Sequence, residues 1–127
     1  MINGAHFLLY SEDAEADRTF FRDVLEFKGV DAGGGWLIFA LPPAELGVHP
    51  SDGAFVQKHA EHDMLGCVFY LMCSDLQECM DSLRAKGVEC SPVTTAEWGS
   101  ATSLKLPSGG RIGLYQPTHP TAINPRT

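Results

Sequence analysis

The sequence repeats itself. "FLLYSEDA" at residues 7–14 returns as "FYLMCSDL" at 69–76, with Phe7 over Phe69, Leu9 over Leu71 and Asp13 over Asp75. In both copies an aromatic and aliphatic run, the composition of a strand, leads into an acidic cap and a helical pattern. Such a duplication restricts the chain to folds made of two like units. At 127 residues it holds one domain, or two half-domains sharing a core.

Within the first unit, "AHFLLYS" (5–11) is predicted as a strand and "SEDAEADRTFFRDVLEF" as a helix. Ser11 or Asp13 caps it, Glu12, Asp13 and Glu15 suit its positive end, and Ala16, Phe20, Val24 and Phe27 form an apolar stripe. A turn with a short strand around Val30 follows, then strands over 36–42 and 45–50, both closed by proline. Polar residues 51–65 read as a connecting segment. The second unit gives a strand over 66–74, a helix stopped by Gly87, a short strand at 88–93, and strands over 101–107 and 111–117 about an "SGG" turn. The Pro- and Thr-rich tail, 118–127, is expected to be loosely held. The units are thus 3–50 and 66–117, each strand–helix–three strands. One such unit leaves a sheet face bare, so two must pair, within a chain or across a dimer.

The formal net charge is −7, with no basic cluster longer than a pair, which argues against nucleic acid or an anionic membrane surface as partner. The N-terminal sequence lacks the pattern of a secretory signal, and no run is long enough for a membrane span, so a cytoplasmic protein is expected. Cys67, Cys73, Cys79 and Cys90 form no C-x-x-C pair; free thiols acting as small hydrophobes are the expectation.

The two strand–helix openings, "HFLLYSEDAEADRTFFRDVLEF" and "FYLMCSDLQECMDSLRAKGV", together with the ending "LKLPSGGRIGLYQP", resemble the vicinal oxygen chelate superfamily of glyoxalases, bleomycin-resistance proteins and extradiol dioxygenases. The resemblance spans residues 3–117 and implies an α+β fold of two tandem βαβββ modules, curved around a cleft. Pro107-Ser108-Gly109-Gly110 stands where that family often has Asp-Pro-Asp-Gly.

In metal-dependent members of this superfamily, His or Gln on a first strand and Glu on a fourth strand hold a divalent ion in each half. Carried over position by position, His6 matches, whereas the second-half positions fall on Cys67 or Val68 and on Gly113. The remaining first-half ligand falls on Gly47 or Glu45. Strand alternation places Glu45, Gly47 and His49 on one face and Leu46 and Val48 beneath a helix. It likewise turns His6, Leu8 and Tyr10 inward, and with them Arg111, Gly113 and Tyr115. His6, Glu45 and His49 are therefore the candidate ligands for Zn, Ni, Mn or Fe, and the damaged set tips the expectation toward no metal.

Glu45 doubles as a candidate general base. Tyr10, Trp36, His49, Tyr70, Trp98, Arg111 and Tyr115 are candidates for binding a small amphipathic ligand, the aromatics by their faces and Arg111 by its charge. His59 and His62 read as surface residues, and nothing basic adjoins Cys67 to activate it. Two functional classes remain: a binding module whose metal site is incomplete, and a metal-dependent lyase or dioxygenase centred on His6 and Glu45. A homodimer is expected for either.

Overall fold

In the computed structural model the described residues are 1–51, 53 and 55–123; positions 52 and 54 of the connecting segment and 124–127 of the tail lie outside them. Helix α1 spans Ala14–Asp23 and is followed by a short antiparallel ribbon, β1 (Gly29–Asp31) with β2 (Leu37–Phe39). A second hairpin joins β3 (Val56–His59) to β4 (His62–Leu65). Then come β5 (Tyr70–Met72), α2 (Leu76–Ala85), β6 (Thr94–Ala96), β7 (Gly99–Lys105) and β8 (Arg111–Pro117). These last strands form one sheet in the order β5-β8-β7-β6, with β8 parallel to β5 and antiparallel to β7. The α+β class expected from the sequence is the one found, and the second unit is a closed βαβββ module.

Both helices start as their sequences dictate. The Asp13 carboxylate accepts from the Ala16 amide at 3.2 Å and Asp75 from the Glu78 amide at 3.0 Å, so each satisfies an otherwise orphaned N–H. Beyond α2, Gly87 takes φ +86°, the left-handed turn that ends the helix and that a side chain would resist. Lys86 reaches across to α1, donating to the Val24 carbonyl at 3.1 Å and to Glu26 at 3.3 Å. It puts a cation on the negative end of the first helix.

One core serves both halves. Phe20 and Phe21 of α1 meet Leu76, Met80 and Leu83 of α2 above Leu104, Ile112 and Leu114 of the sheet. Alternation on β8 sends Ile112 and Leu114 into this core and leaves Arg111, Gly113 and Tyr115 on the opposite face. A buried carboxylate pins the arrangement. Asp17, 6% exposed, accepts from the Ser108 amide at 3.0 Å, the Ser108 hydroxyl at 2.7 Å and the Ser11 hydroxyl at 2.7 Å. Burying a carboxylate is tolerable only with such a set of donors. Ser108 of the β7–β8 turn is thus the partner of α1.

Three expectations are corrected. Residues 5–11 and 45–50 run without a β ladder, and most of their apolar side chains are exposed, Leu46 and Val48 included. The predicted packing of Leu46 and Val48 under a helix does not occur. Strand propensity becomes a strand only beside a partner strand, and this chain offers these segments none. The connecting segment, by contrast, contains the β3–β4 hairpin. The expected strand at 88–93 is reduced to a bridge at Cys90, with the paired stretch displaced to β6.

These open segments have a measurable consequence. The chain exposes 9491 Å², whereas a compact monomer of 13.8 kDa exposes about 6,600 Å². Roughly 2,900 Å² is in excess of what a compact monomer of this mass shows.

Removing the pinning carboxylate strands three donors. Asp17→Ala is expected to cost about 3 kcal/mol and Ser108→Ala about 1.5 kcal/mol, read as shifts in urea midpoint at unchanged m-value. Equal stability of Asp17→Ala and the parent would show that this carboxylate holds nothing.

Candidate functional site

The face of the sheet opposite the helices carries the aromatic side chains. Tyr115 of β8 sits at the centre, with the Tyr70 ring at 5.4 Å and the Trp98 ring at 5.9 Å, both edge-on. Edge-to-face rings attract through their quadrupoles, so the trio is held by its own geometry. Gly113, on the strand next to Tyr70, makes the arrangement possible. Tyr70 and Gly113 pair in register, and a Cβ at 113 would run into the Tyr70 ring. Gly113 is thus the floor under an aromatic ring.

One end of the trio is polar. The Tyr115 hydroxyl donates to Glu45 at 3.4 Å and lies 3.0 Å from Nε2 of His119, while His119 and Glu45 approach to 3.8 Å. Glu45 also accepts from the Ala122 amide at 2.9 Å, and its side chain is only 18% exposed. The tail expected to be loose is tied down from 118 to 122. Thr118 bonds to Trp98 and Glu97 carbonyls, and His119 Nδ1 lies 2.8 Å from the Pro120 carbonyl.

That last contact fixes a proton. A carbonyl only accepts, so Nδ1 of His119 carries hydrogen. In the neutral imidazole Nε2 is then an acceptor, facing a Tyr115 hydroxyl that has Glu45 as its other acceptor. Burial, and then the charge of Glu45 and its hydrogen bond, push the Tyr115 phenol above its ordinary value.

The other sequence candidates lie apart from this cluster. His6 is exposed on the unladdered N-terminal segment, and His49 is exposed with Nδ1 2.7 Å from the Pro50 carbonyl. Tyr10 pairs with His59, and Trp36 packs under the Arg18 guanidinium at 4.5 Å, on α1. Arg111 is spent at the hairpin, donating to Ser103 at 3.0 Å and to Glu89 at 3.4 Å. Cys67 is exposed, while burial beside Cys79 raises the Cys73 thiol to about 11. Of the seven binding candidates the structure joins Tyr70, Trp98 and Tyr115, and adds His119, which the sequence reading missed. Its signal was available: an imidazole four residues beyond Tyr115, where a bend returns the chain to that ring.

For a metal, the donor set does not fit. A catalytic ion takes about three protein ligands, and among the described residues no three His, Cys, Asp or Glu side chains converge.

The chain matches the family model described as Glyoxalase/Bleomycin resistance protein/Dioxygenase superfamily over residues 4–114, and it belongs to that superfamily. No curated protein matches it. Similar solved structures include TnmS3, an antibiotic binding protein from Streptomyces sp. CB03234, at 19% identity and TM-score 0.60, covering 93% of this chain and 99% of that one. Lactoylglutathione lyase from Agrobacterium tumefaciens gives 16% identity and TM-score 0.60 over 90% and 92%. The fosfomycin resistance protein FosX from Listeria monocytogenes gives 13% and 0.57 over 93% and 96%. At these identities the likeness is one of fold. No helix among the described residues is long and apolar enough to cross a membrane.

Two outcomes follow from the geometry. Gly113→Ala is expected to lose about 1–3 kcal/mol by overpacking, and Tyr70→Ala in the same chain should restore most of it; an additive double variant would contradict the stacking. In ultraviolet titration a phenolate step above pH 10 should vanish in Tyr115→Phe and move down in Glu45→Gln. Because the fold favours the neutral phenol, this group's stabilisation is complete below pH 10 and is lost as the pH rises through the folded-state value.

Proposed function

We propose that the protein binds a small amphipathic ligand without covalent chemistry, against the exposed surfaces of Tyr70, Trp98 and Tyr115. Glu45 and His119 supply the polar end. The observation that carries this reading is the aromatic trio seated over Gly113, where a flat floor stands in place of a ligand carboxylate. Aromatic walls with a few fixed polar groups are the usual make-up of a ligand site. That a similar fold, TnmS3, is described as an antibiotic binding protein supports the reading. Bleomycin resistance in the superfamily's own description supports it too.

The metal-dependent lyase or dioxygenase centred on His6, Glu45 and His49 has less support. A second copy would have to bring the missing donors. A homodimer is part of the proposal, because interfaces of obligate dimers bury on the order of 1,000–2,500 Å² per subunit, which the surface this chain leaves over is large enough to supply. The cytoplasm is the compartment proposed, since it keeps four free thiols reduced.

Bleomycin and 1-anilinonaphthalene-8-sulfonate serve as probes. With Trp36→Phe, the fluorescence of Trp98 is expected to change saturably with at least one of them, and Tyr115→Ala should weaken that binding tenfold or more. Elemental analysis after equilibration with Ni, Zn, Mn or Fe(II) is expected to show no stoichiometric metal. Metal that is lost on His6→Ala would overturn the metal-free reading.

A further inference from the structure

The β3–β4 hairpin is the least supported element of the chain. Its strands pair only with each other, and none of its side chains enters the core or packs against it. Among the described residues its one side-chain tie to another segment is Tyr10 to His59. Register separates its faces. Val56 opposes Leu65 and Lys58 opposes Asp63 on one side, while Met64 and His59 share the other, the side that meets Tyr10. The outer side therefore shows an apolar pair beside a neutralised ion pair, with Leu65 87% exposed. The two-residue turn adds a further burden: Ala60 and Glu61 both take positive φ, +51° and +65°, in a turn that normally calls for Asn or Gly. An isolated two-stranded hairpin is marginal in water even with a favourable turn.

A second apolar pair is left open in the same half. Leu46 and Val48 alternate onto one side of an extended segment, 84% and 86% exposed, with no ladder to hold them. We infer that the outer face of the β3–β4 hairpin and the Leu46–Val48 segment together form the contact with a second copy of this chain. This rests on the homodimer of the proposed function and assigns its surface. The occupant follows from size and charge. The chain's surplus surface, roughly 2,900 Å², is enough to supply one subunit's share of an obligate dimer, about 1,000–2,500 Å², and the Lys58–Asp63 pair leaves the hairpin face neutral, as self-association of a chain of net charge −7 requires. A segment that seats against a like copy is also relieved of being an open edge, which otherwise invites aggregation.

Sedimentation velocity from 0.5 to 100 µM, on the full chain, tests this. The parent is expected to be dimeric throughout. Leu65→Glu and Leu46→Glu should each weaken association at least 100-fold, giving monomers at 10 µM with unchanged far-ultraviolet circular dichroism, while Glu61→Lys at the turn leaves the dimer intact. Amide hydrogen exchange on the parent needs no variant. Residues 56–65 and 45–48 should be protected in the dimer and lose that protection on dilution to the monomer. A dimeric parent whose hairpin and 45–48 amides exchange freely, or whose two glutamate variants stay dimeric, overturns the assigned surface and leaves the homodimer standing. A parent monomeric at 100 µM overturns both.

Discussion

The position of α1 on the second half is fixed at its junction with the β7–β8 turn. Asp17 stands at that junction, its carboxylate shared among two serine hydroxyls and an amide. The first half has only the two-stranded β1–β2 ribbon for a sheet. Its helix is placed by borrowing the sheet of the second half, through Phe20 and Phe21 in the core, Asp17 at one end and Lys86 at the other. A charge buried without these donors would cost several kcal/mol, so the contact selects this docking of α1 over slipped ones that bury the same apolar area. Hydrophobic burial supplies the attraction, and the carboxylate supplies the register.

The open face of the sheet is a consequence of this one-sided packing. With both helices on one side, β8 divides its side chains strictly, and what alternation sends outward is Arg111, Gly113 and Tyr115. Two of the three then define the face: glycine makes room for the Tyr70 ring, and Tyr115 collects that ring, Trp98 and the polar end. Arg111, equally outward, is captured by Ser103 and Glu89 at the turn. Orientation alone therefore did not make a residue part of the cluster; distance from competing partners did.

What the sequence could disclose follows the range of the interactions involved. The helix caps at Asp13 and Asp75, the stop at Gly87 and the β7–β8 turn are set by neighbours within a few residues, and all stood where the pattern put them. The outward facing of Gly113 and Tyr115 was legible for the same reason, since alternation is local once a strand is known. Residues 5–11 and 45–50 have strand composition and no strand, because a ladder requires a partner that composition does not name. The hairpin at 56–65 was hidden for the opposite reason. Its polar residues and its Ala-Glu turn carry none of the usual signals. For His119 the local spacing to Tyr115 was the available signal, whereas its other partner, Glu45, lies far away in the chain and only the fold joins them.

That long-range tie gives the polar end its character. Glu45 belongs to a segment without a ladder, His119 to a tail without one, and each is located chiefly by the other and by Tyr115. The aromatic floor is part of a rigid sheet, but its polar end exists only while two irregular segments meet over it. A ligand that bonds to Glu45 or His119 competes with contacts that position them, whereas one that merely stacks on Tyr70 and Trp98 does not. Selectivity at such a face is set by whether the polar group of a ligand can replace the Tyr115 hydroxyl or the Ala122 amide as a partner of Glu45. Ligands offering a donor at that end can displace the tail without leaving a half-buried carboxylate unpaired, and ligands offering only an acceptor cannot.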